Sequence, residues 1–189
     1  MAYIRLSPNH RRAQLLELAI RMFTERPYDD FSMDELAGAA GVSKGLLYHY
    51  FPSKRALYMA SLRSAAAEMM AVTGTDTRLP RSEQLEAAVD AYLTYVREHA
   101  AGYRALLRGG IGADPGVAAV AEEVRRAMRD RVLAGFDIGE PRPRLRLAVT
   151  GWVGLVEAAS LDWLEHSDIS QEELVKLLTS ALPAILATL

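Results

Sequence analysis

The sequence predicts an all-α fold in which a three-helix N-terminal domain precedes a larger helical domain, with about nine helices in total. Apolar residues recur at spacings of three and four along most of the 189 residues, as they do on one face of an α-helix. Capping residues and prolines mark successive helix starts, and no window alternates with the two-residue period of a strand. Half of the residues are hydrophobic and 24% are charged, which is typical of a folded domain.

Each of the first four helices is predicted to begin after a serine, whose hydroxyl can accept from the free N–H groups of the first turn. Ser7 precedes a proline at the favoured first helical position, and Ser32 can form a capping box with Glu35. Gly41 suits the left-handed conformation that ends the second helix. The caps are Ser7, Ser32, Ser43 and Ser53, and the predicted ends lie near Arg26, Gly41, Phe51 and Val72.

A polar, turn-rich segment, residues 73–80, follows the fourth helix. We therefore divide the chain into residues 1–52 and residues 53–189, with helix 53–72 connecting the two domains. Through Arg63 the chain has nine Lys or Arg against six Asp or Glu, whereas the remainder has thirteen against eighteen. This asymmetry points to an anionic partner for the first domain.

Five more helices are predicted in the second domain from the same signals. They run from Ser82 to Ala100, over 102–108, from Asp114 to Phe136, from about Arg144 to His166, and onward from a capping box at Ser170–Glu173. The last helix contains Pro183, which has no N–H and clashes with the carbonyl of the preceding turn. We therefore expect this helix to kink or restart at Pro183.

Several functions are made improbable by composition. The chain has no cysteine, which excludes disulfides and thiolate metal sites. Its four histidines show no i, i+4 pair, so we predict no metal site and no cofactor. The N-terminus leads into no apolar signal core, and the least polar stretch, 147–156, is too short to span a membrane. We expect a cytoplasmic protein with no membrane partner.

Residues 33–52 meet the steric demands of a helix-turn-helix in register. Ala37 is small where the second helix must cross the first, and Gly41 stands four positions later, in the turn. Apolar residues that would lock the two helices together are Leu36, Ala40, Val42 and Leu47. The face of the second helix left for the major groove carries Lys44, Gly45, Tyr48 and His49.

The chemistry of each exposed side chain in and around this motif predicts which part of DNA it would contact. Hydroxyls of Ser32 and Ser43 suit phosphate oxygens, whereas Lys44 and Tyr48, one turn apart, suit base edges. Gly45 would allow close backbone approach. Phosphate contact is predicted for His49, Tyr50 and Lys54. Two alternatives remain open, since Tyr50 can belong to the core and Leu46 can either pack internally or contact a thymine methyl.

The stretch FSMDELAGAAGVSKGLLYHYFPSKRALY, residues 31–58, closely resembles the N-terminal domain of the TetR family of bacterial regulators. The resemblance covers roughly residues 9–60, while the rest agrees only in helix count and spacing. It implies DNA contacts at Ser32, Met33, Ser43, Lys44, Gly45, Leu46, Tyr48, His49, Tyr50 and Lys54. Met33 and Leu46 depart from the small hydroxyl and the polar residue that are frequent at these positions.

The last two helices are the predicted dimer interface, because small residues next to bulky ones allow close helix approach. The resemblance implies the same, together with a homodimer on a palindromic double-stranded DNA operator. The predicted interface residues are Gly151, Gly154, Leu155, Ala158, Ala159, Leu174, Leu178 and Leu182. Burial within one protomer is the alternative explanation of the apolar stripe on the last helix.

Met and aromatic residues of the second domain suit an apolar pocket with a few hydroxyl groups. They are Met69, Met70, Tyr92, Tyr95, Tyr103, Met128, Phe136 and Trp152, and ordinary core packing is the alternative. The resemblance implies an unidentified small apolar or amphipathic effector that releases a repressor from DNA. A DNA-binding or interaction module without an effector is the second functional hypothesis.

An enzyme is the third possibility considered, because Gly41–Gly45 spells G-x-S-x-G. A nucleophile elbow needs a strand before the serine. Here the pattern predicts a helix instead, so we expect no enzymatic activity.

Overall fold

The computed structural model describes residues 7–26, 28–74, 76, 78–108, 114–136 and 142–189. Within these ranges every regular element is helical, which confirms the predicted all-α class and the number of helices. The helices are α1 (Pro8–Glu25), α2 (Met33–Ala39), α3 (Lys44–Tyr50), α4 (Lys54–Val72), α5 (Arg81–Glu98), α6 (Ala100–Arg108), α7 (Pro115–Ala134), α8 (Pro143–His166) and α9 (Gln171–Leu186). A short 3₁₀ turn, Tyr28–Asp30, joins α1 to α2.

The predicted serine caps are confirmed by their hydrogen bonds. The Ser32 hydroxyl accepts from the Glu35 amide at 3.1 Å, while the Glu35 carboxylate accepts from the Ser32 amide at 3.0 Å. The start of α5 differs from the prediction, because it begins at Arg81 instead of after Ser82. Pro80 is the N-cap residue there, its carbonyl accepts from the amides of Glu83 and Gln84, and no side chain caps the helix.

Helix α9 continues through Pro183 to Leu186, so it does not restart there, and the expected kink stays a prediction. Proline removes only its own amide from the ladder, and the next turn closes normally, with the Ala187 amide donating to the Pro183 carbonyl at 2.9 Å. Leu178 and Leu182 are buried before this point, and Ile185 and Leu186 pack against the same core after it. Their packing holds both turns of α9 on the rest of the domain.

Three apolar clusters organise the chain, and α4 contributes to all of them. Leu57 is buried in the head cluster formed with α1, α2 and α3. Met59 belongs to a junction cluster with residues of α7, and Met69 belongs to the large cluster of the body. We call the two parts the head (α1–α3) and the body (α5–α9). The boundary at residue 52 remains a prediction, because α4 is shared between both.

Candidate DNA-binding surface and ligand cavities

The turn between α2 and α3 is closed by backbone hydrogen bonds around a left-handed glycine. Gly41 has φ +63°, a conformation that costs other residues steric strain. The Val42 amide donates to the Ala37 carbonyl at 3.0 Å, and the Gly41 amide donates to the Gly38 carbonyl at 3.1 Å. This is the Schellman pattern of a helix end, and it fixes the direction in which α3 leaves α2.

Helix α3 has one buried anchor and an open face. Leu47 is completely buried in the head core. Around it, Leu46 and Tyr48 keep 37% and 40% of their surface exposed, although both are large apolar residues. Lys44, Gly45 and His49 are exposed as well. The predicted contact residues of α3 therefore lie together on one solvent-facing surface.

Two predicted DNA contacts lie differently. Met33 is buried in the head core, so its side chain is not available to a phosphate, and only its backbone amide at the start of α2 remains. Tyr50 is half-buried and packs against the same core, in agreement with the alternative stated for it. The exposed Ser32 and Ser43 hydroxyls each already accept from a backbone amide of their own helix.

Lys44 is held across the helix-turn-helix by an acidic residue that sequence reasoning did not identify. Its Nζ lies 2.8 Å from Oδ1 of Asp34, which is on α2. The hydrogen bond and the negative charge of Asp34 raise the pKa of Lys44 above its ordinary value. Both side chains are exposed, so the pair adds little to stability but orients the amine. No local signal relates residues 34 and 44, because the contact depends on how α2 crosses α3.

Lys54, at the start of α4, rests on aromatic rings. Its Nζ lies 4.4 Å from the centre of the Tyr28 ring and 5.9 Å from that of Phe31, a cation–π arrangement. It also donates to the Asp29 carbonyl at 3.3 Å. These contacts place the ammonium group at the edge of the head beside the N-terminus of α2.

Small apolar cavities lie in a row from the head–body junction into the body. The first cavity, of about 70 Å³, lies at the head–body junction. It is followed by one of about 20 Å³ in the middle and another of about 70 Å³ deeper in the body, and each cavity shares lining residues with the next. A larger groove of about 300 Å³ continues the row between α5, α7 and α9. Seven predicted residues line at least one of these spaces, namely Met69, Tyr92, Tyr95, Tyr103, Met128, Phe136 and Trp152. Met70 lines none of these four.

The middle cavity has a polar wall. The Tyr92 and Tyr103 hydroxyls share a hydrogen bond of 2.5 Å, and burial raises the pKa of both phenols. Arg125 of α7 donates to Glu157 of α8 through two bonds of 2.6 and 2.7 Å at the same cavity. The spaces therefore combine apolar walls with a few fixed hydroxyl and charged groups, as ligand sites do.

The predicted dimer residues separate into two groups. Gly151, Gly154, Leu155 and Ala158 lie on an exposed stripe of α8. Leu174, Leu178 and Leu182 do not fit the prediction, because they are buried within the protomer against the body core. Ala159 is half-buried and also packs there.

Other apolar residues extend the exposed face. Leu147 of α8 is 73% exposed, and Leu177 of α9 is 49% exposed. The apolar stripe of α9 that faces solvent is therefore rotated about the helix axis by roughly one residue from the predicted stripe. The predicted stripe is buried against the body core. Helix α8 is long and apolar enough to cross a membrane by length and composition alone, a test that core helices of soluble proteins also pass.

The remaining chemical motifs lie in structural positions. The G-x-S-x-G match occupies the turn from α2 into α3, where a nucleophile elbow would need a preceding strand. Across the part of the chain that the structure describes, no three His, Asp or Glu side chains are grouped to hold a metal ion.

The geometry of α2, α3 and their turn defines a helix-turn-helix DNA-binding protein. Residues 15–60 match the family model described as bacterial regulatory proteins, tetR family, and residues 81–185 match the tetracyclin repressor-like C-terminal domain. The chain therefore belongs to the TetR family of transcriptional regulators.

Individual relatives support the assignment. The chain is 34% identical over 170 residues to the HTH-type transcriptional activator FasR of Mycolicibacterium smegmatis, covering 86% of this chain and 76% of that protein. It is 37% identical over 65 residues to the HTH-type transcriptional repressor AcnR of Corynebacterium glutamicum, covering 34% and 35%. A crystal structure of a tetR-family regulator from Streptomyces coelicolor has a TM-score of 0.87 at 35% identity, covering 97% of this chain and 83% of that one.

Proposed function

We propose that this regulator acts as a homodimeric repressor that binds a palindromic operator and leaves it when a small apolar or amphipathic molecule enters the body. The observation that carries the proposal is the surface of α3, where Lys44, Leu46 and Tyr48 are exposed around the buried Leu47. Large apolar side chains on a short exposed helix cost solvation unless a partner covers them. A DNA major groove of about 12 Å admits such a helix.

DNA contact is divided between base edges and phosphates. We assign base reading to Lys44 and Tyr48, thymine-methyl contact to Leu46, and close backbone approach to Gly45. His49, Ser43 and Lys54 contact phosphates, as do Ser32 and the amide of Met33 at the N-terminus of α2. Tyr50 acts mainly by packing under His49, whose ring it meets edge-on at 5.4 Å.

The dimer forms through the exposed stripe of α8 together with the outer face of α9. A Cβ added at Gly151 or Gly154 would meet no atom within 4 Å, so this face has room for the backbone of a partner helix. Leu147, Leu155 and Leu177 supply the apolar area that association requires. Two heads held in this way would reach successive major grooves about 34–36 Å apart.

The effector site is the row of cavities in the body. Spaces of about 20 and 70 Å³ are far smaller than the roughly 300–1,000 Å³ of a drug-sized ligand site. A ligand of that size must therefore enlarge them, and outward movement of α7, which lines the middle and deep cavities, would enlarge those two. Such a ligand favours the enlarged conformation, and this differential affinity is what a release mechanism needs.

Sequence specificity, the direction of control and the effector response are tested one after another. The full-length protein is incubated with a randomised duplex library, and bound DNA is selected and sequenced. We expect an inverted repeat with half-sites about one helical turn apart. Recovery of unrelated sequences with equal affinity would contradict sequence-specific regulation and favour a general DNA-binding module.

Direction of control is decided with a reporter gene carrying the selected operator. FasR is named an activator and AcnR a repressor, so relatives of both kinds exist. We expect reporter expression to fall when the protein is produced, whereas a rise would make it an activator. Apolar compounds added to the binding assay then test for an effector, and no response across a diverse set would favour the module without one. No enzymatic activity is proposed.

A further inference from the structure

One ion pair joins the body to the start of α4, beside the proposed phosphate contact Lys54. Arg55 donates from Nε to Oδ2 of Asp114 at 2.7 Å and from Nη2 to Oδ1 at 2.8 Å. This two-bond geometry fixes the guanidinium plane as well as its distance. Asp114 is also the N-cap of α7, with its carboxylate accepting from the Gly116 amide at 2.7 Å.

The site is shaped for this contact. A Cβ added at Gly116 would lie 2.8 Å from Nη2 of Arg55 and 3.0 Å from Oδ1 of Asp114. The guanidinium therefore occupies space that only a glycine leaves open. Only 11% of the Asp114 side chain is exposed, so most of its charge is turned to Arg55 and to the first turn of α7.

The same helix forms one wall of the cavities. Val124, Met128 and Val132 of α7 line the middle and deep spaces, while α7 begins at the Arg55–Asp114 pair. A rigid-body displacement of α7 at these side chains would therefore be carried to Asp114 and from there to Arg55. The neighbouring residue is Lys54, which lies under the head on Tyr28.

We propose that the Arg55–Asp114 pair, with Gly116, is a positioning device that sets the orientation of the head relative to the body. In the dimer this orientation fixes the distance between the two recognition helices. The inference rests on the proposed dimeric function and extends it, because it assigns operator spacing to residues that do not touch DNA.

The test is the dependence of affinity on half-site spacing. Duplexes carrying the selected half-sites at the best spacing, and at one and two base pairs more or less, are titrated with full-length protein by fluorescence anisotropy. Asp114→Asn keeps an N-cap but removes the charge. Gly116→Ala keeps both charges but displaces the guanidinium. We expect each variant to lower the discrimination between best and displaced spacing by about threefold to tenfold, as suits two partly exposed ion pairs per dimer.

Asp130→Asn is the matched control, because Asp130 is also on α7 and pairs with an arginine, Arg129, at 2.7 Å without reaching the head. It changes net charge equally, and its spacing profile should equal that of the unmodified protein. Thermal unfolding of all proteins verifies that they are folded. Unchanged discrimination in both Asp114→Asn and Gly116→Ala would overturn the inference. If the unmodified protein shows no spacing preference, the dimeric operator model fails, and the positioning role fails with it.

Discussion

At the scale of single residues, Lys44, which we propose reads a base edge, is oriented within the protein alone. The Nζ of Lys44 lies 2.8 Å from Oδ1 of Asp34, and both side chains are exposed to solvent. Exchange of this carboxylate for a base edge costs little, because an exposed ion pair contributes only about 0–1 kcal/mol. Asp34 therefore restricts the directions that the lysine samples without trapping it.

We predict that Lys44→Ala relaxes sequence preference. Loss of a base contact should cost about 1–3 kcal/mol on the selected operator but much less on a substituted half-site. Binding measured on both duplexes gives the ratio. Equal weakening on the two would mean that Lys44 contacts phosphate. Asp34→Asn is the companion variant, and it should change this ratio less than Lys44→Ala does.

For Lys54 we predict a change in salt dependence. Lys54→Ala should reduce the slope of log K against log salt concentration by roughly one unit, since one phosphate contact is lost. Tyr28→Leu leaves the lysine in place but removes the nearer ring, so the slope should persist while affinity falls. A slope unchanged by Lys54→Ala would show that Lys54 serves only to pack on Tyr28 and Phe31.

At the scale of elements, the turn between α2 and α3 decides whether the recognition helix is presented. Two glycines of this motif differ in what they do. Gly41 has a positive φ, whereas Gly38 lies in the helix and has no atom within 4 Å of an added Cβ. A side chain at Gly41 is therefore strained by the backbone conformation, while the backbone at Gly38 tolerates a side chain.

Gly41→Ala should lower the free energy of unfolding by about 1–2 kcal/mol, the cost of a left-handed alanine. Gly38→Ala should leave stability unchanged or raise it by up to about 1 kcal/mol, because alanine favours helix. Urea titrations followed by circular dichroism measure both. Equal effects of the two substitutions would contradict the left-handed turn.

At the scale of the whole molecule, the arrangement of α8 is the central feature. One face of this helix is buried through Val149, Trp152 and Val156, and the opposite face carries glycines and exposed leucines. The protomer thus has a complete core and still exposes an apolar surface. The proposed association of two copies would cover it.

Gly154→Arg should convert the dimer to a folded monomer. The site has open space within one protomer, so the arginine does not disturb the core, but it prevents close approach of a partner helix. Sedimentation velocity should show the mass of one chain, 20.8 kDa, with an unchanged circular dichroism spectrum. Ala127→Arg, on an exposed position of α7, is the control and should remain dimeric. A dimeric Gly154→Arg protein would place the interface elsewhere.

The helices and their caps could be read from the sequence, because capping and periodicity are local properties. Ser32 with Glu35, Gly41, and Asp114 before Pro115 each act within one turn of the chain, and each lies as predicted. The buried position of Leu47 and the exposed surface of α3 also followed, since a helix-turn-helix imposes its packing over about twenty residues.

Only the tertiary structure decided which apolar helix faces pack inside the protomer and which face solvent. Leu174, Leu178 and Leu182 form the most regular stripe of α9, yet periodicity describes a face without naming its partner, and here the partner is the body core. The same holds for Met33, buried in the head, and for the pairs Lys44–Asp34 and Arg55–Asp114. The two ion pairs join residues 10 and 59 positions apart in the chain. Such contacts depend on the crossing angles between helices, which no local sequence pattern specifies.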